Sequence, residues 1–159
     1  MSPGSARAAA FGIGVVAGLR SLLAPAVLVR TTQKNLIERN FPLATLVSRP
    51  ASRKMIKLAA GELLADKLPF TPKRISPGPF AARLASGAAC GAAVSWLAKE
   101  SPIEGAVLGS AGAIAGTVGG YYARRSLSRN HSALAVALVE DALAITLAIG
   151  ILRRVTPRT

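Results

Sequence analysis

The stretch "LAVALVEDALAITLAIGIL", residues 134–152, decides how this chain is to be read. It has the length and apolar character of a helix that crosses a bilayer, which takes roughly 20 residues. Yet Glu140 and Asp141 stand side by side near its middle. Each acid at that depth costs about 2.5–3.5 kcal/mol on insertion scales. A run this apolar predicts a membrane helix, and its two carboxylates predict polar partners elsewhere in the chain.

Working outward, three more apolar blocks precede it. They are 8–29 ("AAAFGIGVVAGLRSLLAPAVLV"), 80–98 ("FAARLASGAACGAAVSWLA") and 105–123 ("GAVLGSAGAIAGTVGGYYA"). Residues of the AVILMFWYC set make up 51% of the 159, only 17% are charged, and the apolar ones fall in blocks rather than alternating with charge. Arg20 lies inside the first block and Pro25 predicts a kink there. Arg7, the following apolar run and "APA" at 24–26 imitate a secretory leader. Arg20 interrupts that pattern, so 8–29 is read as a retained span.

Between the first and second blocks, Arg30, Lys34, Arg39, Arg49, Arg53 and Lys54 form a basic connector, within which "FPLATLV" (41–47) is too short to cross. The segment 54–68 has an apolar part of only about half a bilayer's thickness, which predicts a re-entrant or interfacial half-helix. Glu62 and Asp66 are four apart and share one face of it. The loop "PFTPKRISPGP" (69–79) carries four prolines and is not expected to be helical throughout. The fold class is therefore all-α: a polytopic membrane bundle of four transmembrane helices plus the half-helix, in one domain.

The net charge of +13 raises nucleic acid as a partner, but the basic residues sit in connectors and no recognition motif accompanies them. Positive-inside topology and anionic lipid head groups account for them instead. With four spans, thirteen Lys/Arg lie on one side and five on the other. A crossing half-helix would make the division nearly even. The four-span arrangement places both ends outside and the half-helix on the cytoplasmic face. It also puts Arg20 and Glu140 each 12 residues from the same membrane face, with Asp141 at 11. At about 1.5 Å per residue all three lie some 16–18 Å deep, and Arg20 is the first partner to name for the acids.

One arginine neutralises one acid. The remaining acid, with Glu62 and Asp66, leaves a surplus that points to a channel- or transporter-like protein with a polar path for a small cation or proton. The runner-up is a non-transporting scaffold or assembly protein whose buried charges are structural. A lipid-modifying enzyme ranks third, with Lys73, Arg74 and Arg83 as head-group or phosphate contacts; the plainer reading of those three is loop anchoring. His131 is the only histidine, Cys90 the only cysteine, and no P-loop or dinucleotide fingerprint is present. No catalytic residue, cofactor or metal site is implied. Cys90 reads as a small packing residue.

Gly105, Gly109, Gly112, Gly116 and Gly120 recur at three- and four-residue intervals, as do Gly87 and Gly91. Such faces let helix backbones approach closely in lipid. They serve packing within the chain or the seam of a homo-oligomer.

The stretches "GLRSLLAPAVLVR" (18–30), "GELLADKLPFTPKRISPGPFAARLASGA" (61–88), "GGYYARRSL" (119–127) and "ALVEDALAI" (137–145) carry a family resemblance. The chain resembles the small bacterial membrane proteins catalogued as domain of unknown function 4126. The resemblance implies a small polytopic protein of the bacterial inner membrane and assigns a role to no residue.

Overall fold

The computed structural model describes residues 2–38, 49–65, 77–127 and 132–155. Among the described residues the protein is all-helical, with six helices and no strand. They are α1 (Pro3–Leu19), α2 (Leu23–Glu38), α3 (Arg49–Ala65), α4 (Pro77–Leu97), α5 (Pro102–Leu127) and α6 (Ala133–Val155).

The first apolar block is not one kinked helix. It is broken at Arg20–Leu22 into α1 and α2. Pro25 lies in the first turn of α2, where its missing N–H is tolerated, and it has no proton to offer the carbonyl of Ser21. Ser86 of α4 donates to that carbonyl instead, at 2.5 Å. Arg20 closes α1 in an extended conformation, its N–H reaching Val16 O at 2.9 Å. The carbonyl freed at the break is thus paired by a side chain from a neighbouring helix.

Other boundaries shift for similar reasons. The basic connector starts later than expected, because α2 continues through Arg30 to Glu38. The half-helix begins at Arg49 rather than residue 54, and residues 66–68 lie outside the described residues, as does 41–47. Pro77 and Pro79 belong to the first turn of α4, which needs no donors from them. α5 runs four residues past Ala123, so Arg124 and Arg125 occupy its last turn rather than a loop.

Two helices are long and apolar enough to cross a membrane, α4 and the Leu134–Val155 part of α6, and they point to a membrane association. Four were expected. α1 has only 17 residues, and the six glycines of α5 dilute its hydropathy.

The short α4–α5 connection ends α4 in a paired cap: Lys99 N–H bonds Trp96 O at 3.1 Å and Glu100 N–H bonds Ser95 O at 2.9 Å. Lys99 takes the left-handed position, φ 63°, that glycine usually fills. Ser101 then caps α5, accepting from Glu104 N–H at 3.4 Å.

Helix directions follow from the contacts. Gly14 and Gly18 of α1 face Gly109 and Ala113 of α5 in the same order, so these helices run parallel. Gly87 and Gly91 of α4 face Gly109 and Gly105 in reverse order, and Gly12 of α1 meets Ile151 of α6 while Arg20 meets Asp141. α4 and α6 therefore run opposite to α1 and α5. Arg7 and Glu104, 2.6 Å apart at the starts of α1 and α5, mark one end of the bundle.

The core is correspondingly small-residued. Ala10, Ile13, Val16 and Ala17 of α1 pack with Cys90, Ala93 and Val94 of α4 and with Ala144, Ala148 and Leu152 of α6. Cys90 is the packing residue its surroundings imply. Outward, α5 and α6 present Ile103, Val107, Leu134, Leu138, Leu143 and Leu147, all large apolar side chains on the surface. A monomer in water rarely leaves so much apolar surface uncovered.

Candidate functional site

The question set by Glu140 and Asp141 has a geometric answer. Successive residues of a helix point about 100° apart, so adjacent acids address different neighbours. Asp141 faces the α1–α2 break, where Arg20 Nε donates to its Oδ1 at 2.7 Å and Arg20 Nη2 approaches the same oxygen at 2.5 Å. Arg20 is 1% exposed and Asp141 8%. The antiparallel register of α1 and α6 brings them to one level, as the residue count along the two apolar blocks anticipates. Arg20 also sits at the carbonyl end of α1, where a cation is favoured by the helix dipole.

Glu140 faces the last turn of α5, where its Oε2 lies 2.9 Å from Nη2 of Arg124. Sequence reasoning missed Arg124, assigning it to a basic loop because the apolar run ends at Ala123. The signal was the second acid itself: with Arg20 taken, Glu140 required another cation within reach of α6.

The other sequence-derived candidates divide cleanly. Asp66, Lys73 and Arg74 lie outside the described residues, as does the side chain of Glu62, whose backbone is part of α3. Arg83 is on α4, but its side chain is buried at 5% exposure, turned into the protein rather than out toward head groups. Among the described residues no group of three His, Cys, Asp or Glu stands together as a metal site.

The glycines close up against backbone within the same chain. A methyl at Gly87, Gly91 or Gly109 would strike backbone across the α4–α5 contact. One at Gly112 or Gly116 would strike the carbonyl of Phe11 or Val15 in α1. Gly105 meets Ser95 and Gly91. α5 is thus held between α1 and α4 through two glycine faces, and Thr117 Oγ1 donates to Gly18 O at 3.1 Å across one of them.

Beside the Arg124–Glu140 pair, α5 and α6 splay apart and leave a cavity of about 490 Å³. Its walls are mostly apolar, including Leu19, Leu127, Val136, Val139 and Leu143, and the charged pair is its polar feature.

No family model matches the chain, and no curated protein or solved structure matches it either.

Proposed function

We propose that this chain is a small multi-pass protein of the bacterial inner membrane that works as a scaffold or assembly protein, its buried charges locking helices together. In this reading α1, α4, α5 and α6 cross the bilayer in alternate directions, and α3 stays on the cytoplasmic face. The observation that carries it is the pairing of each α6 carboxylate with an arginine from a different part of the bundle, Asp141 with Arg20 at the α1–α2 break and Glu140 with Arg124 on α5. A cation or proton path requires acid that is not already neutralised, and α6 supplies none in surplus.

Support for the membrane setting comes from the apolar surface of α5 and α6 and from the two apolar helices of spanning length. A buried arginine–aspartate pair is expensive to desolvate and expensive to break, which suits it to fixing register between helices.

The test is reconstitution of the purified protein in liposomes holding a pH-sensitive dye, with an imposed potassium diffusion potential. The expected result is no protein-dependent proton or alkali-cation flux, with Asp141→Asn lowering thermal stability and changing nothing else. Flux by the wild type, abolished by Asp141→Asn or Glu140→Gln at unchanged stability, would replace this reading with a cation or proton path through those acids.

A further inference from the structure

We infer that α3 is a docking helix for an anionic lipid surface, its Arg53, Lys54 and Lys57 meeting lipid phosphates and its Ile56 and Leu58 reaching the acyl region beside them. Successive residues of a helix turn by about 100°, so Arg53, Lys57 and Lys54 fall within one arc of about 100°. All three are exposed, and Gly61, in the same arc, has open space around it. None of the three makes an ion pair among the described residues. Glu62, the one acid of α3, falls outside the arc by its place in the sequence.

The opposite side of α3 is the one that meets the protein. Ala59 is buried and Met55 packs against the core, where α3 leans on α2. Between that contact strip and the cations, one aliphatic side chain stands uncovered on each flank, Leu58 at 57% exposure and Ile56 at 36%. This arrangement selects the occupant. Three cations without a counter-charge call for an anionic partner. A nucleic acid would leave both aliphatic flanks wet, and α3 has no aromatic residue on which a base could stack. A lipid surface offers phosphate and hydrocarbon side by side, as the two faces of an amphipathic helix require. The stems of Lys54 and Lys57 let their charged heads rise to the phosphates while the flanks sink.

The inference rests on the membrane setting of the proposed function and is independent of whether the protein carries ions. For the test, the full chain in a Cys90→Ala background carries a nitrobenzoxadiazole label at Leu58→Cys and is placed in phosphatidylcholine nanodiscs. Spin-labelled phosphatidylglycerol or spin-labelled phosphatidylcholine is then included at the same low fraction. The expected result is stronger quenching by the phosphatidylglycerol, a preference that fades as salt is added. Lys57→Gln should lower the preference about fivefold, the factor that roughly 1 kcal/mol per cation near an anionic surface implies.

A label at Leu147→Cys, on the outward face of α6, is the reference and should be quenched equally by both lipids. Quenching at position 147 with none at position 58 would overturn the proposal and leave the membrane setting standing. Equal quenching of the position 58 label by the two lipids would overturn it too, because the cations would then select nothing. So would saturable binding of a fluorescent DNA duplex to the discs, lost in Lys57→Gln, which would make α3 a nucleic-acid face. No quenching at position 147 by either lipid would instead bring down the membrane setting beneath it.

Discussion

Arg20 and Asp141 are the two residues whose loss should be felt most. Both are buried, and removing either takes a close opposite charge away from the other. Arg20→Ala or Asp141→Asn alone should cost about 3–5 kcal/mol of stability, whereas Arg20→Met with Asp141→Leu should recover most of that loss. Denaturant unfolding in detergent checks it through a double-mutant cycle. Simple additivity would mean the two do not depend on each other. The Arg124–Glu140 pair is partly exposed on its arginine side. The same cycle there should give a coupling of about 1 kcal/mol or less.

At the scale of the helices, the glycines are not interchangeable. Gly109→Ala would drive a methyl into the Gly87 carbonyl and to 3.1 Å from the Gly91 Cα, and backbone cannot step aside as a side chain can. It should destabilise by about 1–3 kcal/mol or more. Gly150→Ala meets nothing within 4 Å and should be neutral or stabilising by up to about 1 kcal/mol, through helix propensity. Melting temperatures of the two variants, measured side by side, separate packing from propensity. The turn after α4 gives a further contrast. Lys99 pays the left-handed penalty at φ 63°, so Lys99→Gly should raise the melting temperature by the equivalent of about 1 kcal/mol.

For the whole molecule, the opposed helix directions make a prediction about sidedness. In a Cys90→Ala background, single cysteines at Lys99 and Arg154 should react with a membrane-impermeant maleimide from one face of the membrane. Cysteines at Gly78 and Arg125 should react only from the other. Labelling of Lys99→Cys and Arg125→Cys from the same face would mean that α5 does not cross. The bundle also explains how so few large residues suffice. α1, α4 and α5 come together backbone to backbone, so dispersion between close-packed small residues replaces the bulk of a leucine-rich core.

Much of this was legible in the residues themselves. An uninterrupted apolar run forces a helix, because a backbone without water must satisfy its own hydrogen bonds. The run at 134–152 therefore announced α6, the glycine spacing announced close-packed helices, and Pro25 announced trouble in the first block. Counting along two antiparallel runs was enough to propose Arg20 beside the acids, since helical rise converts sequence distance into depth. Tertiary structure alone decided the rest. Where the first block breaks depended on Ser86 of another helix reaching the Ser21 carbonyl, and the extent of α5 depended on a partner for its last turn. The identity of that partner, Glu140 for Arg124, is a pairing between residues on different helices, and no local pattern records which of several charges a neighbouring helix will bring within reach.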